Sequence, residues 1–281
     1  MNNTPIQILL TNDDGIQSPG LWAAAEALSC LGFVSVVAPL DQWSGAGRSH
    51  PSTSDGVIKP QTLNVHGKEW TVYGVNGTPA QTIAHGIMEV CPSRPDLVVS
   101  GINYGENVGS GTTVSGTVGA ALEAAAFGIP GLAISLQTPE SYNLSYSRDI
   151  DFTGAKYFTT LFAQVLLEKK MPVDVDVLKV EIPDNADSST PWCITRVAHN
   201  PYYHLHLNKR ENWDEPNPLK YVISYEGEEL DPDSDIFALR KARMVSVTPL
   251  SNDLTSRVEK SLLDSLIRSQ VNLDLKACDP E

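Results

Sequence analysis

Five short apolar-rich runs leave this chain few ways to fold: IQILLT at 6–11, FVSVVAP at 33–39, DLVVS at 96–100, GLAIS at 131–135 and DVLKVEIP at 176–183. Each is too short for a buried helix and has little of the alternation of a half-solvated strand, so each reads as a strand covered on both faces. Helical stretches separate them. Ser18-Pro19 opens LWAAAEALSCL and Gly32 stops it, Thr78-Pro79 opens TPAQTIAHGIMEV, Ser115 opens SGTVGAALEAAAFG, and residues 149–170 carry another helical pattern. Strand, loop and helix recurring in that order predict an α/β protein: a parallel sheet with right-handed crossovers, flanked by helices.

The remaining segments have a different texture. Residues 57–75 read as irregular antiparallel β with a turn at His66-Gly67, and 184–248, containing ITRVAHNPYYHLHL and LKYVISYEG, as an antiparallel β extension. The tail 252–270 spaces Val258, Leu262, Leu263 and Leu266 as one helical face, which packs either on its own core or on a second subunit. The expected division is a core at 1–183 and, at 184–281, a β-hairpin extension with a C-terminal helix for oligomerisation. A formal net charge of −14 opposes a nucleic-acid polymer or an anionic membrane as partner. Cys30, Cys91, Cys193 and Cys278 have neither CxxC spacing nor a framework pattern, and read as reduced structural thiols. The first residues lack a basic segment followed by an apolar run, and no stretch approaches a membrane span, so a cytoplasmic location is expected.

Ligands of open parallel sheets bind beyond the carboxyl ends of the strands. Asp13 and Asp14 follow the first strand, Ser44 lies in the loop after the second, and Asn103 follows the strand at 96–100. Gly15 permits a turn that aims both carboxylates at one point, where two like charges favour a shared proton or a cation. Two carboxylates, a hydroxyl, an amide oxygen and water form a hard oxygen donor set for a divalent ion. The competing reading has the Asp pair merely capping a turn. The stretch SGINYGENVGSGTTVSGTVGAA, 100–121, enters a helix at Ser115, where the N–H groups of Gly116, Thr117 and Val118 would stand free and a bare Gly116 would admit an anion. It lacks the lysine of a Walker loop. Arg48 is either solvated or paired with a phosphate. His204 and His206 share a strand face, compatible with a metal but more in keeping with packing or exposure.

Taken in order, LLTNDDGIQSPGL, APLDQWSGAGRS, VNGTPAQT, VSGINYGENVG, SGTVGAALEA and VSVTPL resemble the family of the stationary-phase survival protein SurE, metal-dependent 5′/3′-nucleotidases. The resemblance runs from residue 9 to about 250. It implies a Rossmann-like core, a divalent ion (Mg²⁺ or Mn²⁺) held by Asp13, Asp14, Ser44 and Asn103, and a phosphate-proximal region at Asn107 and Ser115-Gly116-Thr117. It further implies hydrolysis of nucleoside monophosphates by a metal-activated water, with Asp13 or Asp14 assisting proton transfer, and a homodimer or homotetramer. Two other mechanisms stay open: an aspartyl-phosphate route, and a nucleotide-binding sensor without turnover. The chain departs from the family at Gln81-Thr82, where an acid and a cysteine are usual, and at Val114, where an aromatic ring is common. Both departures bear on substrate preference.

Overall fold

The computed structural model describes residues 5–65, 68–139, 142, 146–147, 149–225 and 229–271. The expected turn at His66-Gly67 and Cys278 lie outside them. The first strand and helix, β1 (Gln7–Thr11) and α1 (Pro19–Leu28), lead to β2 (Phe33–Pro39), then to the antiparallel pair β3 (Ile58–Val65) and β4 (Lys68–Val75), and to α2 (Pro79–His85). Next come β5 (Leu97–Tyr104), α3 (Gly116–Ala126), β6 (Gly131–Leu136), α4 (Thr153–Glu168) and β7 (Val177–Ile182). The last part holds β8 (Trp192–Ile194), β9 (Tyr203–His206), β10 (Lys220–Ile223), β11 (Val245–Leu250) and α5 (Lys260–Val271).

Nine strands form one mixed sheet in the order β3-β4-β2-β1-β5-β6-β7-β11-β8, parallel from β4 through β7. Side chains of a strand alternate between faces, and in β1 both faces are covered. Ile8 and Leu10 join a core with Leu21 and Leu28 of α1 and with Phe158 and Phe162 of α4. Leu9 points the other way, to Ile83 of α2 and Ala120 and Ala124 of α3. That sandwich explains why the strands read as continuous apolar runs. From β1 the chain moves outward to β2 on one side and later returns to place β5 on the other. The carboxyl ends of β1 and β5 therefore flank the switch point where a crevice opens in such sheets.

The stretch after Pro183 divides differently from its sequence reading. β9 and β10 form the expected separate antiparallel sheet. β11 instead pairs antiparallel with β7, and β8 parallel with β11, so both extend the main sheet. Val245 and Val247 enter the core that holds Leu178 and Val180, while Ser246 and Thr248 on the opposite face each share a hydrogen bond with Thr195, at 2.7 and 2.8 Å. Burial of the two valines overrides the texture of the surrounding segment.

Two helix starts also differ in detail. Ser18 occupies the N-cap position with extended backbone, yet its side chain makes no cap bond and its buried hydroxyl has no partner among the described residues. Thr78 forms a complete capping box: its hydroxyl accepts from Gln81 N–H at 3.2 Å, and Gln81 Oε1 accepts from Thr78 N–H at 3.1 Å. Gln81 Nε2 donates to Pro51 O at 3.0 Å. The departure from the family pattern at Gln81 thus maintains a helix start and its neighbouring loop.

Candidate metal and phosphate site

The turn after β1 is built by Asn12. Its side chain accepts from Gly15 N–H at 3.2 Å and donates to Gly15 O at 3.1 Å, and Gly15 takes a φ of +95°, a region few L residues enter. The loop after β2 is fastened to it, since Trp43 N–H donates to Asp13 O at 2.7 Å. Both carboxylates are buried.

Asp13 faces the start of α3. Thr117 Oγ1 donates to Asp13 Oδ1 at 2.6 Å, and the backbone N–H groups of Gly116 and Thr117 hydrogen-bond to the same carboxylate. A Cβ on residue 116 would lie 2.7 Å from Asp13 Cβ and 2.8 Å from its Oδ2, so only glycine permits this approach. The expectation of free N–H groups at this helix start is therefore corrected: the positive end of α3 already serves Asp13, and Val118 N–H is capped by Ser115 Oγ at 3.1 Å.

Asp14 is placed by β5 and by the loop after β2. Its Oδ2 accepts from Tyr104 N–H at 3.2 Å and its Oδ1 from Gln42 Nε2 at 3.3 Å. The same Gln42 nitrogen donates to Ser44 Oγ at 3.2 Å, so one amide joins the exposed Ser44 hydroxyl to the buried carboxylate. Asn103, next to Tyr104, donates through Nδ2 to Gly105 O at 2.8 Å. That bond fixes the orientation of the amide.

The electrostatics of the pair follow from burial and adjacency. Burial raises the pKa of Asp13 against the lowering effect of its bonds from Thr117 and Gly116. Burial first, and the neighbouring Asp13 charge second, push Asp14 well above the usual carboxylate range. Among the described residues neither acid has a cationic side chain as partner. Two adjacent buried carboxylates without a cationic partner, one of them joined to the Ser44 hydroxyl through Gln42, have the chemistry of a hard-cation donor set.

Asn107 lies in the loop after β5, and both its backbone groups are held. Its N–H donates to Glu181 Oε2 at 2.8 Å, and its carbonyl accepts from Lys179 Nζ at 2.9 Å. Sequence reasoning missed Lys179, Glu181 and Asp235, which form a buried charge cluster with Lys179 Nζ 2.9 Å from Asp235 and 3.7 Å from Glu181. A signal was present: two opposite charges at alternate positions of the buried strand LKVEI. Also missed were Gln42 and the buried group of Glu106, Tyr202 and Arg240, whose side chains bond to one another. Arg48 is exposed and already engaged, its Nε donating to Glu123 at 2.6 Å and its Nη1 to Asn252 at 3.0 Å. His204 contacts Ser224 O at 3.2 Å and His206 is exposed. No group of three or more His, Cys, Asp or Glu among the described residues is arranged to hold an ion.

The family model described as "Survival protein SurE" matches residues 8–204, a span that includes Asp13, Asp14, Ser44, Asn103, Asn107 and Ser115 to Thr117. The chain belongs to the SurE family. It is 40% identical over 253 residues to the 5′-nucleotidase SurE of Thermococcus kodakarensis, covering 90% of this chain and 95% of that protein. It is 42% identical over 262 residues to the 5′-nucleotidase SurE of Archaeoglobus fulgidus, covering 92% and 96%. The crystal structure of the SurE protein from Aquifex aeolicus superposes with a TM-score of 0.72 at 31% identity, over 94% of this chain and 99% of that one. Lys179 and Glu181 lie within the SurE match, whereas Asp235 and Arg240 lie beyond it.

Proposed function

We propose that the chain is a divalent-cation-dependent phosphomonoesterase that hydrolyses nucleoside 5′- and 3′-monophosphates to nucleoside and phosphate. Relatives named 5′-nucleotidase SurE support the nucleotidase reading. The observation that carries it is the uncompensated, buried Asp13–Asp14 pair at the switch point, directly against the start of α3. Asp13, Asp14, Ser44 Oγ and Asn103 Oδ1 would hold the ion. A bound Mg²⁺ or Mn²⁺ supplies Lewis-acid polarisation of the phosphoryl group and lowers the pKa of a water.

The chain's own groups supply orientation and proton transfer. Ser115 Oγ accepts from Val118 N–H, so its own proton is available to a phosphoryl oxygen. Asn107 Nδ2 carries two protons, one of which goes to Ser135 Oγ at 3.0 Å, and the second faces substrate in this reading. Gly116 lets Asp13 pack against the helix start, and Thr117 orients Asp13 through its hydroxyl. Both carboxylates already accept hydrogen bonds, and Asp14, which burial and the Asp13 charge push well up, is the one that would take a proton from the attacking water. The same occupancy disfavours an aspartyl-phosphate route, in which a carboxylate oxygen must attack.

Phosphate release from nucleoside monophosphates, sugar phosphates and short polyphosphates, with Mg²⁺, Mn²⁺ or chelator, tests the reading. Nucleoside monophosphates should be turned over only with the cation, without a trappable phosphoenzyme. Nucleotide binding without turnover in every cation would assign a sensor instead. We also propose a homodimer or homotetramer, because α5 leaves Leu262, Leu263, Leu266 and Ile267 43–57% exposed, away from its own core. A cytoplasmic location belongs to the same proposal; no helix among the described residues is long and apolar enough to cross a membrane.

A further inference from the structure

The segment from Gly105 to Val114 has one short 3₁₀ turn, Gly109–Thr113, and no regular backbone ladder around Asn107. Something other than secondary structure must therefore set the direction of that side chain. Four buried polar groups converge on it. Glu181 Oε2 accepts from Asn107 N–H, Lys179 Nζ donates to Asn107 O, and Thr112 Oγ1 donates to the same carbonyl at 3.3 Å. Asn107 Nδ2 donates to Ser135 Oγ, and Ser135 Oγ donates to Glu181 Oε1 at 3.3 Å. Asp235 locks the arrangement from behind. Its Oδ2 accepts from Lys179 Nζ and from Gly109 N–H at 3.1 Å, and its Oδ1 from Ala198 and Ile236 N–H at 3.0 and 2.9 Å.

Hydrogen-bond direction gives the cluster its meaning. Ionised Glu181, the form above about pH 7, only accepts, so there Ser135 points its proton at Glu181 and presents a lone pair to Asn107. That lone pair accepts only from Nδ2, which decides which end of the Asn107 amide faces Ser135. Its remaining Nδ2 proton is then offered as a donor, the polarity a phosphoryl oxygen requires. Lys179 Nζ, 3.7 Å from the Glu181 Oε1 that accepts from Ser135, is the buried counter-charge of the ionised carboxylate.

We infer that Glu181, held by Lys179 and Asp235, is a positioning residue that acts through Ser135 to present the Asn107 amide as a donor to the substrate's phosphoryl group. The inference rests on the reading of Asn107 as a phosphate contact, which needs its own control. Removing one hydrogen bond to a charged group corresponds to roughly tenfold or more in affinity.

The experiment measures KM and kcat for adenosine 5′-monophosphate and inhibition by inorganic phosphate, at saturating Mn²⁺ and at a pH about one unit above the Glu181 value of about 7, in the full chain. Variants are Asn107→Ala, Glu181→Gln, Ser135→Ala and each of the last two combined with Asn107→Ala. Glutamine can donate as well as accept and so scrambles the relay. Ser135→Ala deletes the relay while leaving every charge in place, and keeps the test usable if Glu181→Gln does not fold. The expected result is a rise of about tenfold or more in KM and in the phosphate inhibition constant for each single variant. kcat should hold within about twofold, and neither second substitution should add a further loss in the Asn107→Ala background. If Asn107→Ala changes neither constant, the assignment of Asn107 fails. If Asn107→Ala weakens binding but Ser135→Ala and Glu181→Gln do not, or if they cost as much in the Asn107→Ala background, the relay is overturned while the phosphate contact stands.

Discussion

At the scale of single residues the pair Asp13–Asp14 dominates, because burial makes each carboxylate costly and adjacency makes the second costlier. Asp14→Asn removes one of two crowded charges and keeps an oxygen. Without cation it should melt above the wild type at pH 7, since a carboxyl whose pKa burial raises destabilises the fold once it is deprotonated. With Mn²⁺ the order should reverse. Binding at a hundred times the dissociation constant stabilises by about 2.7 kcal/mol, and the variant with weaker affinity gains less of it. Thermal melts of both proteins, each with chelator and with Mn²⁺, check this. A variant that gains as much from Mn²⁺ as the wild type and hydrolyses at a similar rate would return the pair to a turn-capping role.

At the scale of elements, β7 contains the least expected feature, a Lys–Glu pair within a strand buried on both faces. Burial pushes the Glu181 carboxyl up to about 7, against the opposing pull of Lys179 and the bond from Asn107 N–H. The folded state therefore retains this proton through a range in which the unfolded chain, with its ordinary value near 4.5, has lost it. Stability from this group is fully present below pH 4.5 and is lost as pH rises towards 7. Glu181→Gln should flatten that descending limb. The difference between wild-type and variant melting temperatures, followed from pH 4.5 to 8 at constant ionic strength and with chelator, reads this contribution alone. A difference that does not change with pH would show that Glu181 titrates as an ordinary acid.

At the scale of the whole molecule, strand order and an exposed helix matter most. The switch between β1 and β5 places Asp13, Asp14 and Asn103 at neighbouring strand ends, the loop after β2 adds Gln42 and Ser44, and β6 adds Ser135. The helix α5 buries none of Leu262, Leu263, Leu266 or Ile267. Deleting 252–281 should reduce the mass in sedimentation velocity while the Asp13–Asp14 crevice stays intact. A monomeric mass for the full chain at concentrations far above those of the assay would contradict the proposed assembly.

Much of this was legible in the residues themselves. Periodicity located the strands and helices of the first 183 residues, because doubly buried strands and helix starts such as Thr78-Pro79 carry their cause in a few consecutive positions. The Asp13–Asp14 pair and Gly15 marked a strand-end site for the same local reason. Tertiary structure alone decided the rest. Gly116 was read as room for an anion, and folding brought Asp13 into that room from 103 positions away. β11 and β8 joined the main sheet because Val245 and Val247 found the core beside β7, and Arg48 found Glu123 as its partner. The direction of the Asn107 amide depends on Ser135, Glu181, Lys179 and Asp235, groups that only chain packing makes neighbours. A hydrogen bond has a direction only once both of its ends are in place.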